Sequence, residues 1–303
     1  MGSILFAVAP LYVLIAIGVM LRLIVASDAW IEVFNKFGVY VGFPAIVFSS
    51  LVKIPAGAII ETSVIACNVL FLLVAVALTY GVGRCLRLTT ALRNTYVIGV
   101  FYGNVAYLGY PFVTTVIPGS EASVSIHIAI YVAFLFTVGI FVLELSKDGG
   151  SVNLPRIAKS IMTSPLLLSV VAGLLFRSTG LSLPGFIEHA LELLAASAAP
   201  IVLLAIGMFI ARRLTPDRHL VHAALLSSLK LVVFPLGFML FAGLLGGQHA
   251  SAVSIIEAAM PCGITIFALA EVFPMDKQVV ASTIVISTVA SAISLPLIAT
   301  LAI

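Results

Sequence analysis

At 303 residues, with 62% hydrophobic and 9% charged residues and a formal net charge of +3, the chain has too few charges to cover a soluble surface; a soluble domain carries about 25%. The composition describes a polytopic membrane protein with little mass outside the bilayer, and it excludes a water-soluble enzyme. The positive charges sit in short loops and form no basic patch, so no nucleic-acid partner is expected.

A spanning helix needs about 20 mostly apolar residues. On that measure ten transmembrane segments are predicted, at 3–25, 31–52, 58–83, 91–117, 123–146, 160–177, 185–211, 219–245, 250–273 and 278–302. The expected fold is therefore all-α. The first apolar run starts at Ile4 with no basic residue before it, so no cleavable signal is expected. Cys67, Cys85 and Cys262 are odd in number and widely spaced, so they imply neither a metal site nor a disulfide framework. The longest polar stretch runs from Ser146 to Arg156 and has linker composition. It divides the chain into a first five-helix repeat at 1–146, a cytoplasmic linker at 147–156 and a second repeat at 157–303.

The halves read as copies. Residues 10–22 lie over 165–177 without a gap, and Pro10/Pro165, Leu11/Leu166, Gly18/Gly173 and Arg22/Arg177 coincide. Pro44 in segment 2 matches Pro200 in segment 7, and Pro111 in segment 4 matches Pro261 in segment 9. A repeat with an odd number of helices must enter the membrane in the opposite sense, which predicts a 5+5 inverted topology. Lysines and arginines set the orientation. Arg22, Lys36, Arg84, Arg87, Arg93, Lys147, Arg156, Lys159, Arg212, Arg213, Arg218 and Lys277 fall on one side, and only Lys53 and Arg177 on the other. The twelve-to-two bias predicts cytoplasmic loops after the odd-numbered segments and both termini outside.

Segment 4 contains Gly103-Asn104-Val105-Ala106-Tyr107-Leu108-Gly109-Tyr110-Pro111, poor material for a continuous helix. Segment 9 contains Ala259-Met260-Pro261-Cys262-Gly263-Ile264-Thr265. Broken helices in corresponding halves are the best sequence pointer to a transporter binding site. The second half of segment 4 is expected to start near Pro111 and that of segment 9 near Pro261, with Cys262, Gly263 and Thr265 in its first turn. Their exposed amide donors attract anions. Asn104 is a candidate ligand to a carboxylate, and Tyr107 and Tyr110 flank the break. Ionisable residues within the membrane are functional candidates by default. Lys230, half-way down segment 8, is read as the partner of a substrate carboxylate or of Glu257 in segment 9, or equally as a static pair with Glu257 or a backbone carbonyl or a snorkelling side chain. Glu257 is a candidate coupling residue or ion-pair member.

Gly103-Asn104 with Leu108-Gly109 and Pro111 resembles the helix-4 motif of the auxin efflux carrier family. Ala259-Met260-Pro261 with Phe267, Leu269 and Ala270 resembles that family's helix-9 motif. The resemblance spans the whole chain and is to the short bacterial-type members, with likeness to plant auxin carriers and malonate-type transporters. It implies crossed helices 4 and 9 in a transport domain of helices 3–5 and 8–10, and a scaffold of helices 1, 2, 6 and 7 that forms a homodimer. It also implies a multi-pass protein of the bacterial inner (cell) membrane. The central loop is far shorter than in long plant members, and Thr265 stands where bacterial relatives carry an amide.

The expected function is secondary transport of a small organic anion, auxin-like or dicarboxylate, by alternating access about the crossed helices. Membrane lipid and the anion are the expected partners, with no cofactor and no metal. The alternative is a sodium-coupled organic anion symporter of the bile-acid transporter type. That reading needs clustered acidic and amide ligands, and only Asn104, Glu257 and scattered hydroxyls are present. A membrane-embedded enzyme would need a nucleophile–base pair or a metal cluster, and no such motif occurs. A sensor would need a soluble output domain, for which the chain has no room.

Overall fold

The computed structural model describes residues 2–25, 27–54, 62–146, 153–212, 219–245 and 251–303. Among them the structure is helical throughout, with a single isolated β-bridge. α1 (Gly2–Ile24) is followed by α2 (Ala29–Phe37), which passes through a π-turn at Gly38–Gly42 into α3 (Phe43–Val52). α4 (Thr62–Cys85) and α5 (Thr90–Phe101) come next. Beyond α5 the chain breaks, then resumes through a π-turn at Val105–Gly109 into α6 (Tyr110–Val116). α7 (Glu121–Phe134) continues through a π-turn at Leu135–Gly139 into α8 (Ile140–Leu145). Residues 147–152 of the expected linker lie outside the described residues. The second half contains α9 (Leu154–Met162), α10 (Pro165–Ser178), α11 (Gly185–Arg212) and α12 (Leu220–Ser228). A π-turn at Leu229–Val233 leads into α13 (Phe234–Leu244), followed by α14 (Ala252–Ala258), α15 (Thr265–Val272) and α16 (Lys277–Ala302).

Among the described residues seven helical stretches are long and apolar enough to cross a membrane: Ile4–Ile24, Ala29–Val52, Thr62–Cys85, Glu121–Leu145, Gly185–Ala211, Leu220–Leu244 and Lys277–Ala302. Large apolar side chains such as Phe6, Leu23, Val221, Leu240 and Leu244 point outward from them. In water that surface would be untenable; in hydrocarbon it is the expected exterior. The protein is an integral multi-pass membrane protein.

The three remaining predicted segments are the interrupted ones. The stretch expected at 160–177 starts differently from its prediction. α9 ends at Met162, and α10 begins at Pro165 with Ser164 as its cap, its Oγ accepting from the Leu167 amide at 3.4 Å. Proline suits a first helical position because its missing donor would be unpaired there.

Three of the four π-turns end two residues before a proline, at Pro44, Pro111 and Pro235. Proline cannot donate to the carbonyl four residues back and its ring crowds that carbonyl. Widening one turn relieves the crowding without ending the helix. Pro200, the sequence match of Pro44, instead lies inside an uninterrupted α11.

α1 packs along α11, where Gly18 meets the Leu204 backbone and Gly207 meets the Ile15 carbonyl. A Cβ on either glycine would overlap the neighbouring main chain, so only glycine permits this approach. α10 packs on α3, with Gly173 facing Leu51 and the Phe48 carbonyl. α4, α5, α12, α14, α15 and α16 form a second packed group.

Candidate functional site

The two breaks meet. Asn104 N donates to Pro261 O at 2.6 Å and Gly263 N donates to Tyr102 O at 3.2 Å, forming an antiparallel bridge between Gly103 and Cys262. Cys262 N donates to Ser287 Oγ at 3.1 Å, and Cys262 Sγ donates to Gly99 O at 3.2 Å. Backbone groups freed by one break are thus satisfied by the other break and by α16, which is what a broken helix at membrane depth requires. The approach leaves no space for side chains. A Cβ on Gly263 would lie 3.0 Å from Gly103 O, and one on Gly103 would lie 3.1 Å from Met260 Cβ.

The helix restarts are displaced from where the prolines suggest. Asn104 O accepts from Leu108 N at 3.2 Å and Gly109 N at 2.9 Å, so the second half of the broken helix begins at Val105, not near Pro111. Pro111 is the second residue of α6, its ring accommodated by the preceding π-turn. Pro261, Cys262 and Gly263 are likewise not a first helical turn. They form the bridge, whose pairing uses their backbone groups, and α15 begins only at Thr265.

Two cavities flank the crossing. The smaller, about 280 Å³, is lined by Tyr102, Asn104, Tyr107, Gly263 and Thr265 from the breaks. Tyr40 of the α2–α3 rod and Ser160, Thr163 and Ser164 at the α9–α10 junction complete its polar lining. Asn104 caps its helix through its carbonyl only. Its side chain makes no capping bond, and the residue lines this cavity. Tyr107 is fixed by stacking on Phe43, with ring centroids 4.8 Å apart and planes 7° apart. The larger cavity, about 830 Å³, is lined by Ser50, Lys53, Tyr110, Glu121, Ser123, His127, Glu192 and Ser251. Lys53, just beyond α3, bonds Glu192 at 2.7 Å and lies 3.3 Å from Glu188. Its hydrogen bond to Glu192 holds its pKa above the ordinary lysine value. Tyr110 therefore belongs to the larger cavity, with its hydroxyl 3.4 Å from Ser50 Oγ, and is separated from Tyr107.

Lys230, Glu257, Pro111, Pro261 and Cys262 line neither of these cavities. Lys230 is fully buried behind the bridge, its Cε 3.3 Å from where a Gly103 Cβ would stand. Its Nζ donates to Ala258 O, the last carbonyl of α14, at 2.8 Å and lies 4.2 Å from the Phe234 ring centroid. A lysine at a helix C-terminus satisfies a carbonyl that has no partner in its own helix. Of the expected partners the backbone carbonyl is the one found, and Lys230 makes no ion pair with Glu257. Glu257 is fully buried and neither carboxyl oxygen has a hydrogen-bond partner. It lies against the backbone at Gly109, where a Cβ would stand 2.7 Å from Oε2. Beside it lies a polar cluster around His127, which from its place near the start of segment 5 reads as a pH-sensing candidate or, more commonly, an interfacial histidine. His127 Nε2 is 2.6 Å from Ser254 Oγ, which also receives Asn68 Nδ2 at 3.1 Å. An interfacial histidine and a buried one carry the same sequence signal, so only the fold distinguishes them.

A family described as "Membrane transport protein" has a sequence model that matches residues 3–299. A protein of Methanothermobacter thermautotrophicus described as an "Uncharacterized transporter" is 28% identical over 303 residues, covering 96% of this chain and 95% of its own length. A protein of Rhizobium meliloti described as "Putative malonate transporter" is 27% identical over 269 residues, covering 85% of this chain and 82% of its own.

Proposed function

The chain belongs to the membrane transport protein family, of the auxin efflux carrier type, and on that premise we propose that it is a secondary carrier of a small organic anion, a carboxylate. The observation that carries the reading is the cavity of about 280 Å³ where both breaks meet the α2–α3 rod and the α9–α10 junction. Its volume is near the lower end for small-molecule sites, and Asn104, whose side chain makes no capping bond, lines it. Asn104 donates to the carboxylate, Thr265 and the Ser160–Ser164 hydroxyls complete the polar contacts, and Tyr107 supplies an apolar wall. The malonate named for the Rhizobium meliloti relative is of this class.

The reading counts ten crossings in two inverted repeats, with α1, α2–α3, α10 and α11 as scaffold and the remaining helices as the moving body. Packing supports it. Exchanging segment 1 with 6 and segment 7 with 2 carries the Gly18 contact on α11 onto the Gly173 contact on α3. Val39–Tyr40 line the smaller cavity and Ile46–Lys53 the larger, on successive stretches of one rod. An anion at the crossing would thus face one cavity at a time as the moving body slides along that rod. The membrane is the cell membrane, with the larger cavity on its outer side.

The test is uptake of labelled mono- and dicarboxylates, malonate included, into proteoliposomes, with and without sodium and a pH gradient. Saturable exchange of at least one carboxylate is expected. A purified, folded protein that exchanges none of them overturns the assignment.

A further inference from the structure

Glu257 is the least explained group in the molecule. A buried polar group without a partner is costly, and a charged one more so. Here two carboxyl oxygens are buried without a hydrogen bond, pressed against the π-turn that restarts the broken helix. Resting on the carboxylate-carrier reading, we infer that Glu257 is the proton-binding group of the carrier, and that protons reach it from the larger cavity along His127 and Ser254.

The surroundings suit this role. α7 presents His127 and, one turn on, Tyr131; Tyr131 is buried and stands within electrostatic range of the Glu257 carboxyl. The π-turn before α13 presents Lys230, also within electrostatic range, and Cys262 follows in the break. The π-turn at Val105–Gly109 and α6 bring Tyr107 and Tyr110, which face Phe43 and Ser50 instead. α13 has no titratable side chain, and α16 has only Lys277 at its first residue.

The His127 network can take up a proton without moving a heavy atom, and handing it on to Glu257 requires the Ser254 or Glu257 side chain to turn, because neither carboxyl oxygen is hydrogen-bonded. Nδ1 is 2.7 Å from Ser123 O, and a carbonyl only accepts, so Nδ1 carries hydrogen. Nε2 of the neutral ring then accepts from Ser254 Oγ. When the ring is protonated, Nε2 donates instead, and the Ser254 hydroxyl turns towards Ser251 Oγ, 3.0 Å away. Asn68 donates to Ser254 in both states. Ser123, His127 and Ser251 all line the larger cavity, and Ser254 and Glu257 are one turn apart on α14.

Coupling follows from charge. A proton taken up as O–H on Glu257 removes a negative charge within electrostatic range of Lys230 and so makes the potential behind Gly103 more positive. Anion affinity at the crossing then rises, and by linkage a bound anion raises the affinity for the proton. Lowering the pH on the larger-cavity side therefore favours loading of proton and anion together.

The experiment compares parent, Glu257→Gln and His127→Gln proteoliposomes with labelled malonate. Expected in the parent is accumulation driven by a pH gradient. Expected in Glu257→Gln is equilibrium exchange retained with gradient-driven accumulation lost, and in His127→Gln a tenfold or greater slowing of accumulation with exchange retained. Accumulation that ignores the gradient in the parent, or persists in Glu257→Gln, overturns the inference; an unslowed His127→Gln overturns the route. A parent that exchanges no malonate removes the substrate, not the proton site, which is read separately by infrared titration without ligand. A protonated-carboxyl band that titrates in the parent and is missing from Glu257→Gln supports the site, and identical bands in both overturn it.

Discussion

Asn104 is held by its main chain and uncommitted in its side chain. Its amide nitrogen joins the bridge to Pro261 and its carbonyl starts the next helix, so Asn104→Ala should leave both breaks intact. One or two hydrogen bonds to a charged ligand would be lost, each contributing about 1.5–3 kcal/mol. That predicts a roughly ten- to hundred-fold rise in Kd per bond with an unchanged melting temperature. A folded Asn104→Ala protein that binds the transported carboxylate like the parent would remove Asn104 from the site. Lys230 should behave in the opposite way. Lys230→Met takes the donor from Ala258 O at the end of α14, and an unsatisfied buried carbonyl costs about 1–3 kcal/mol. A lowered melting temperature is expected, partly restored by adding Glu257→Gln, which removes a buried carboxylate that has lost the nearby ammonium. An unchanged melting temperature in detergent would show that the ammonium has no structural role. The composition of the breaks was legible because glycine, asparagine and proline cluster there. For Lys230 a carbonyl partner was one option among several, and which carbonyl could not be read because a backbone carbonyl has no sequence signature.

Helix-to-helix contacts are decided by small residues, and one of them gives the sharpest test at this scale. Gly207 of α11 faces the Ile15 carbonyl and Gly18 of α1 with no room for a Cβ. Gly207→Val would force α1 and α11 apart or strain both; overpacking of this kind costs about 1–3 kcal/mol, and more where backbone must move. The expected outcome is a lower melting temperature, measured by fluorescence-detected size exclusion after heating. A variant as stable as the parent would mean the helices do not approach this closely in the membrane. Gly18 was visible in the sequence as a match to Gly173, and each proves to seat its helix on a different neighbour. The matched prolines were a poorer guide to local structure. Pro44 and Pro111 each follow a π-turn, Pro261 sits in the break itself, and Pro200 lies within an uninterrupted α11. That choice depends on whether a second break is near enough to take over the freed backbone bonds, which local sequence does not encode.

For the whole molecule the sequence expectation was ten crossings, and seven stretches among the described residues meet the length and hydropathy of a single spanning helix. The other three are interrupted at Tyr102–Asn104, Thr163–Ser164 and Ala259–Ile264, so no single helix in them is long enough, although the apolar run continues. Two of those interruptions form the crossing and the third borders the smaller cavity, so the interruptions coincide with the candidate site. Orientation tests the ten-crossing reading as a unit. An even number of crossings would put both termini on one face, and the twelve-to-two bias of lysine and arginine predicts that this face is outside. With Cys67, Cys85 and Cys262 replaced, single cysteines at Gly2 and Ile303 should react with an impermeant thiol reagent on intact cells. Ala122→Cys, in the larger cavity, should react from the same face as the termini. Ser164→Cys, in the smaller cavity, should react only when the reagent is given access to the cytoplasmic face. A bound carboxylate should slow labelling at Ser164→Cys, because Ser164 shares a cavity with Asn104 and Thr265, and a slowing of tenfold is within reach of a site occupied more than 90% of the time. Termini labelled on opposite faces would make the number of crossings odd and end the inverted-repeat reading. Termini labelled together from the cytoplasm would keep the fold but reverse the direction in which each cavity faces.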